Sequence, residues 1–482
     1  VPQNDRHADK PNILMILVDD LGWRDLACYG SGFYETPVLD RLAREGMRFT
    51  DAYASCPVCS PSRASIMTGK YPATVGITNF IYGQAEGKLR FVSFLPHLPL
   101  EEFSVARALR EGGYATWHVG KWHLGGGEYE PQHHGFDVNI GGGSAGLPRN
   151  GYFSPYKLPN LPEGPTGEYL TDRLTDEAIR LIRTHDGRRP FFLNLWHYAV
   201  HIPIQVPTEL LEKYRRKARD MGLADQPAIV EGEEFPCLHK RGYRIRRRTI
   251  QSDPAYAAMM ENLDANIGRL LAALEDAGQA ENTLVLFTSD NGGLSTAEGS
   301  PTCNRPLLEG KGWMYDGGTR VCLLARWPGR IAAGSVCSTP VTSTDFYPTF
   351  LDVAGLPMRP SQHVDGASLR RLFLGQSAME RDAIFWHYPH YSNQGGTPGC
   401  AIRCGDWKLI EFFEDGRLEL YNLREDISEE RNLAAEKPQL AAELHARLVS
   451  WRNSIEAKIP APNPEWETKR RLPPEAMDSA YI

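Results

Sequence analysis

Cysteine is scarce in this chain, with nine among 482 residues spread from Cys28 to Cys404. That density excludes a scaffold built on disulfides. Cys56 and Cys59 form a single CxxC, but no second pair and no nearby histidine completes a thiolate zinc site. The odd count leaves at least one thiol unpaired, with Cys400 and Cys404 as a candidate pair. No apolar run reaches the ~18 residues of a membrane helix, so no span is expected. Basic charge is not in excess either: the formal charge of −7 gives no bulk reason to bind nucleic acid or an anionic membrane. Internal repeats are lacking. The chain starts at Val1 without an initiator methionine and with mostly polar residues, which points to a mature form whose export signal has been removed, and so to a periplasmic or secreted protein.

What is present fits a globular chain, with 41% apolar and 23% charged residues. Its length suits one large α/β domain and a smaller one. Residues 12–18 are largely apolar, bounded by Pro11 and by Asp19-Asp20, and predict a short buried parallel strand ending in carboxylates. Thr36-Pro37, then Val38, Leu39, Leu42 and Ala43 before Gly46, predicts a capped amphipathic helix. Similar strand runs at 114–119, 191–196, 284–289 and 321–325 alternate with helical patterns at 171–182 and 256–277. The expectation is an α/β fold with a large, mainly parallel central sheet flanked by helices. Polar residues gather just after the strands, where open α/β sheets place their ligands. The Gly- and Pro-rich stretch 141–165 predicts a long functional loop. Residues 354–366 read as a connection, dividing the chain into a catalytic domain at 1–365 and a smaller C-terminal α+β subdomain at 366–482 that contributes to the substrate pocket. That subdomain is expected to carry strands at 401–410 and 417–421 and a helix at 439–455 with Leu440, Leu444, Leu448 and Trp451 on one face. The tail from Pro460 is expected to run over the surface without a core of its own.

The most informative stretch is Cys59-Ser60-Pro61-Ser62-Arg63, continued by Ala64 to Gly69. Pro61 suits the start of a short helix and Gly69 its end, which sets Cys59 before the helix and against its unsatisfied N–H groups. By itself that placement suits a thiolate of lowered pKa or a buried cysteine beside a helix cap. Asp19 and Asp20 at one strand end, with Asp290 and Asn291 in Thr288-Ser289-Asp290-Asn291-Gly292-Gly293 at another, offer oxygen ligands that favour calcium or magnesium over zinc, calcium foremost. Taken singly, each pair also serves as a helix cap or a turn. Gly120-Lys121-Trp122-His123-Leu124-Gly125 follows one strand, His201-Ile202-Pro203 follows another, and Glu309-Gly310-Lys311-Gly312 precedes a third. Isolated lysines and histidines of this kind are more often surface residues.

Together these strings resemble the type I, formylglycine-dependent sulfatases of the alkaline phosphatase-like superfamily, in particular the bacterial carbohydrate sulfatases. Cys59 to Arg63 with Thr68-Gly69 is similar to the family's maturation signature, the Gly-Lys-Trp-His-Leu-Gly string matches at every position, and His201 fits the family's His-X-Pro, which leaves His197 as a packing residue. Thr344 to Thr349 and Gly405 to Ile410 carry the likeness over nearly the whole chain. The resemblance implies an alkaline phosphatase-like fold and a sulfuric ester hydrolase acting on a sulfated sugar or oligosaccharide. It implies that Cys59 is converted to formylglycine by a formylglycine-generating enzyme or an anaerobic maturase, and that one calcium is held by Asp19, Asp20, Asp290, Asn291 and the modified Cys59. It further implies that residue 59 supplies the attacking oxygen, that Arg63 and Lys121 orient it, and that Lys311 binds sulfate. By the same resemblance, His201 or Lys311 would protonate the leaving oxygen, His123 would take the proton from the second hydroxyl of residue 59, and Asp290 would double as a base.

For substrate contacts the expected residues are His133, His134, Arg149, Asn150, Arg305, His387 and His390, which stand in polar or aromatic segments of loop-like setting. Such side chains stack on sugar faces and pair with anionic groups, though ordinary loop packing explains each one singly. The run from His239 to Arg248, beside Glu231, Glu233 and Glu234, reads as a solvated charged helix or loop face or as a contact for a polyanionic glycan. Rival functions are a phosphomonoester or phosphonate-ester hydrolase of the same superfamily, an arylsulfatase of non-sugar substrates, and a glycan-binding protein on a decayed sulfatase fold. The complete core set argues against decay.

Overall fold

A computed structural model describes residues 10–376, 379 and 381–468. The N-terminal residues on which the reading of a trimmed start rests, and the chain beyond Thr468, lie outside the described residues. In chain order the first strands are β1 (Asn12–Val18), β2 (Met47–Tyr53), β3 (Ala115–Gly120), β4 (Val138–Ile140) and β5 (Phe191–Trp196). Next come β6 (Ile229–Glu234), β7 (Arg244–Arg248), β8 (Thr283–Ser289), β9 (Arg320–Arg326), β10 (Ser335–Cys337) and β11 (Val341–Thr342). The last four are β12 (Ala383–Tyr388), β13 (Gly399–Cys404), β14 (Trp407–Phe412) and β15 (Leu418–Asn422). One sheet runs β10-β2-β9-β8-β1-β5-β3-β4, with β11 also paired to β2. It is mainly parallel, as expected, and β9 is its reversed strand, antiparallel to both β2 and β8.

The centre of the sheet is apolar because helices cover both of its faces, and β1 and β5 are buried along their whole length. Alternation sends Leu14, Ile16 and Val18 into one core with helices Leu170–Thr184 and Pro254–Asp276. It sends Ile13, Met15 and Leu17 into the opposite core with helices Cys59–Thr68 and Phe346–Val353. Each such side chain contributes about 1.5–3 kcal/mol of burial. The parallel strands β1, β3, β5 and β8 all end at one edge of this sheet, and the reversed β9 begins there. The loops after β1, β3, β5 and β8 and the loop before β9, which carry the charged motifs, therefore open on that edge. No helix among the described residues is long and apolar enough to cross a membrane.

The four C-terminal strands make an antiparallel sheet. Ile402, Leu409 and Leu420 pack on Leu444 and Leu448 of helix Pro438–Ser454, while Trp386, Ala401 and Ile410 pack on Tyr53, Val58 and Met314. A buried ionic network crosses the same contact. Lys408 Nζ donates to Asp316 Oδ1 at 2.8 Å and to Glu429 Oε1 at 2.9 Å, and Arg320 and Arg403 both reach Asp51 Oδ1 at 2.6 Å.

The structure departs from expectation where the sequence signal is weak. β2 is a strand that no apolar run announces, and its alternation of buried and half-buried positions breaks at Thr50-Asp51, where its register on β9 shifts. His387 belongs to β12, not to a loop, because β13 pairs it with Cys400. The second half of the basic run, Arg244–Arg248, forms the second arm of the hairpin β6–β7 instead of a helical or loop face, while His239 and Lys240 lie in a short 3-10 helix before it. Cys400 and Cys404 lie on one strand, about 13 Å apart at ordinary strand rise, and all nine cysteines are thiols. The chain after Pro460 is tied down through residue 463, since Pro462 bridges Leu89 and Asn463 Nδ2 donates to the Gly87 carbonyl at 3.1 Å.

Candidate active site

The helix Cys59–Thr68 begins at Cys59 itself, after an extended Val58 with no side-chain cap, and Gly69 ends it at φ 70°. Cys59 is therefore a first-turn residue and does not precede the helix. Pro61 stands two residues further in, where its missing N–H costs nothing because first-turn amides have no carbonyl behind them. Cys59 is buried, with Sγ 3.2 Å from His123 Nδ1. Burial pushes its thiol pKa up by more than Lys121 and Lys311 pull it down. A neutral thiol results, so the low-pKa thiolate left open by the sequence is not what this pocket favours.

Three buried ion pairs interlock around it. Arg63 Nε and Nη2 each lie 2.8 Å from Asp290 Oδ2, Lys121 pairs with Asp19, and Lys311 Nζ lies 2.8 Å from Asp20 Oδ2. Arg63 also donates to the Lys121 carbonyl at 2.9 Å and lies 5.1 Å over the Trp196 ring. Asn291 Nδ2 donates to Asp20 Oδ1 at 2.8 Å. His201 places Nε2 3.6 Å from Asp20 Oδ2 and Nδ1 2.8 Å from the Ile202 carbonyl. The ends of β1, β3, β5 and β8, the helix after β2 and the loop before β9 thus bring ten expected residues into one cluster: Asp19, Asp20, Cys59, Arg63, Lys121, His123, His201, Asp290, Asn291 and Lys311. Backbone strain marks the same place, since Asp20, His123 and Glu309 hold φ of 62°, 57° and 58°.

The charges are tuned by burial first and by neighbours second. Burial and Asp290 raise the Asp19 carboxyl to about 8 against Lys121 and Arg63. Burial would also raise Asp20, but Lys311 foremost outweighs it and holds that carboxyl below the usual range. For Lys311 burial opposes the charge and Asp20 prevails, so its ammonium stays protonated. His123 falls well below the ordinary imidazole value through burial, Lys121 and Arg63, and His201 falls to about 3 through burial and Lys311. Both imidazoles are neutral.

The donor set fits a hard cation. Asp19 Oδ1 and Asn291 Oδ1 are buried acceptors with no hydrogen-bond partner, Arg63 Nη2 standing 3.9 Å from the former, and an unsatisfied acceptor of this kind costs about 1–3 kcal/mol. Asp19 and Asp20 bring ligand oxygens within 4.8 Å of each other and of a His201 nitrogen. Carboxylates and one amide are the chemistry of a calcium site. The long loop expected to be functional closes over His123: Gly143 accepts its backbone N–H at 3.0 Å, and a Cβ on Gly146 would lie 2.5 Å from its Cε1.

The expected substrate residues divide. His134 is buried against Trp122 at 5.5 Å between ring centroids, His387 Nε2 contacts the Lys458 carbonyl at 2.9 Å, and His390 Nε2 contacts Thr78 Oγ1 at 2.8 Å. All three are packed inside and present no open face. His133, Arg149, Asn150 and Arg305 are exposed, and Asn150 Nδ2 donates to the Pro155 carbonyl at 3.2 Å. His197 is buried as a packing residue with neither ring nitrogen bonded. Sequence reasoning passes over Glu298 and Gln394, which join at 2.7 Å beside Gly312; the one signal for them is the turn-like Glu298-Gly299-Ser300.

Residues 11–356 match the profile of the Sulfatase family. The chain belongs to that family. Residues 308–454 of this sulfatase also match N-sulphoglucosamine sulphohydrolase, C-terminal. It is 32% identical to a sulfatase of Formosa agariphila, over 92% of this chain and 88% of that protein. It is 33% identical to the N-acetylgalactosamine-6-sulfatase of Canis lupus familiaris, over 83% of this chain and 71% of that protein. Its fold is similar to the crystal structure of Ps i-CgsB in complex with k-i-k-neocarrahexaose, with a TM-score of 0.74, 28% identity and coverage of 97% and 96% of the two chains. The sulfatase is thus a sulfuric ester hydrolase of the alkaline phosphatase-like superfamily.

Proposed function

We propose that this sulfatase removes sulfate from a sulfated carbohydrate, using Cys59 converted to formylglycine and one calcium ion. The observation that carries the reading is the meeting of a buried first-turn Cys59, with His123 on its sulfur, and the oxygen-rich set Asp19, Asp20, Asp290 and Asn291 interleaved with three cations. The sugar sulfates named for the relatives support the substrate class. Asp20 and Asp290, with Asp19 held protonated by burial, stand against Arg63, Lys121 and Lys311; beside a divalent ion Asp19 would give up that proton, and the site would then keep the positive charge that attracts an anionic ester. When bound, calcium supplies Lewis-acid polarisation of the sulfate, and formylglycine supplies an oxygen nucleophile with a second hydroxyl.

The chain's own residues do the rest. Lys311, protonated, holds a sulfate oxygen. Arg63 positions Asp290 and the Lys121 backbone, and Lys121 balances Asp19. His123, kept neutral by burial, accepts at Nδ1 a proton from the side chain of residue 59. Of the two candidate acids, Lys311 carries its proton at rest, whereas the Nδ1–H of His201 donates to the Ile202 carbonyl and leaves Nε2 bare. The division into a catalytic unit at 1–365 and a smaller unit at 366–482 belongs to this reading, with Gln394 completing the pocket beside Gly312. So do export to the periplasm or the medium and maturation by a formylglycine-generating enzyme or an anaerobic maturase.

The test is the mass of the Cys59 peptide together with sulfate release from sulfated sugars. Conversion lowers that mass by about 18 Da, and calcium raises both turnover and the unfolding temperature. Asp20→Asn removes the calcium response. A converted peptide in calcium that releases no sulfate from sugars, but cleaves a phosphorus ester, refutes the proposal.

A further inference from the structure

A second cavity, of about 360 Å³, opens beside the hairpin β6–β7. Alternation along β7 sends Ile245 into a small core with Phe235 and Trp313 and leaves Arg244 and Arg246 exposed. These two arginines line the cavity with Lys240. Their neighbour Arg247 is already engaged, at 2.9 Å from Glu309 and 2.6 Å from Glu233. Among the described residues the Arg244 and Arg246 guanidinium groups make no hydrogen bond or ion pair. Glu234 and Glu231 stand opposite them across the hairpin without closing on them. Lys240 lies 5.0 Å over the Phe235 ring and donates to the Asn393 carbonyl at 2.7 Å, a contact that leaves its charge uncancelled. Tyr243, on the turn side of β7, adds a partly exposed ring.

Residues 297–300 contribute to the lining, and Ala297, Glu298 and Ser300 hold φ of 57°, 45° and 44°. Three non-glycine residues in the left-handed region within four positions is costly, and such strain collects at functional sites. Glu298 is the shared wall. It lines this cavity and accepts from Gln394 Nε2 at 2.7 Å, and Gln394 lies against Gly312, the residue after Lys311.

We propose that this cavity is a second sugar subsite, in which Arg244, Arg246 and Lys240 bind a sulfate or carboxylate on a neighbouring ring of the substrate while the ester to be cut lies at Lys311. Tyr243 packs on the face of that ring. The inference rests on the carbohydrate-sulfatase reading and adds to it that the substrate is an oligosaccharide with at least one further anionic group. Three cations and one carboxylate, Glu298, line the cavity itself, while Glu231, Glu233 and Glu234 lie on the facing strand outside the lining, and that sorting of charge toward the cavity favours such a chain.

The experiment compares the wild-type protein with the double variant Arg244→Ser/Arg246→Ser on 4-nitrophenyl sulfate, which carries a single anionic group, and on tetrasaccharides of chondroitin 6-sulfate and of carrageenan. Chondroitin offers carboxylate and sulfate, and carrageenan offers sulfate only. The double variant is expected to lose about 10–100-fold in kcat/KM on a tetrasaccharide, mostly in KM, because charge-assisted contacts are lost. Its kcat/KM on 4-nitrophenyl sulfate and its unfolding temperature stay close to wild type, and Arg244→Lys/Arg246→Lys recovers part of the loss. Equal losses on both kinds of substrate overturn the proposal, as does no loss on any tetrasaccharide, or a wild type that gains nothing from a tetrasaccharide over a monosaccharide sulfate. In those cases the carbohydrate-sulfatase reading stands. A wild type that cleaves 4-nitrophenyl sulfate and no sugar sulfate overturns both.

Discussion

Replacing Gly146 by alanine tests how closely the long loop governs His123. A Cβ at Gly146 would lie 2.5 Å from Cε1, 2.7 Å from Nε2 and 3.0 Å from Nδ1 of that ring, well inside ordinary contact. The φ of Gly146 is outside the left-handed region, so alanine takes the same backbone and the clash is the whole perturbation. The ring is not free to yield. Its backbone sits at φ 57°, its N–H is bound by the Gly143 carbonyl at 3.0 Å, and its Nδ1 lies 3.2 Å from Cys59 Sγ. Relief requires the ring to withdraw by about 1 Å, a displacement that costs on the order of 100-fold when it falls on reacting groups. That loss corresponds to about 2.7 kcal/mol in the barrier. Overpacking of this kind removes about 1–3 kcal/mol of stability, so the protein still folds. The assay is sulfate release at saturating substrate in calcium, with the unfolding temperature measured alongside. A large fall in kcat with a folded protein and a little-changed KM is expected. A kcat within about twofold of wild type, far below the loss a 1 Å displacement entails, refutes the role given to the loop and to the position of His123.

Cys59→Ala is expected to abolish sulfate release while shifting the unfolding temperature by only a few degrees; near-normal turnover sinks the nucleophile assignment. Lys408→Met leaves the buried Asp316 carboxylate, and the Glu429 carboxyl beside it, without their shared ammonium, so chemical unfolding should show a loss of about 3–5 kcal/mol, and a loss below about 1 kcal/mol argues against the network holding the two sheets together. The Glu429 carboxyl is raised to about 7, by burial against the pull of Lys408. The folded protein then holds a proton that the unfolded chain releases above its ordinary value of 4.5. The stability this contributes is complete below that ordinary value and is lost as pH rises through the folded pKa. Glu429→Gln should flatten the dependence of unfolding temperature on pH across that window, and an unchanged slope contradicts the assignment.

Much of the site was legible because its motifs are short and follow unambiguous strands. Asn12–Val18 and Phe191–Trp196 coincide with their apolar runs, and the polar residues just past them have only one edge of the sheet on which to lie. Legibility failed where burial depends on a distant partner. His134, His387 and His390 look like pocket residues in sequence, yet Trp122, the Lys458 carbonyl and Thr78 enclose them. The basic run looks like a helix or loop face until β6 pairs with β7 and sorts its arginines by alternation. The signal for β2 is weak because its pairing with β9 is interrupted between Phe49 and Ala52.

The sequence by itself determined which chemical groups the site has and which loops carry them, because strand runs and their terminal residues are local patterns. The tertiary structure decided how those groups are paired and charged. Arg63 meets Asp290 across 227 positions, and Lys311 meets Asp20 across 291. Burial at that meeting point, which no local pattern encodes, keeps Cys59 a thiol and His123 neutral. Desolvation and the Coulomb field depend on what surrounds a group in space, and only the folded chain supplies that.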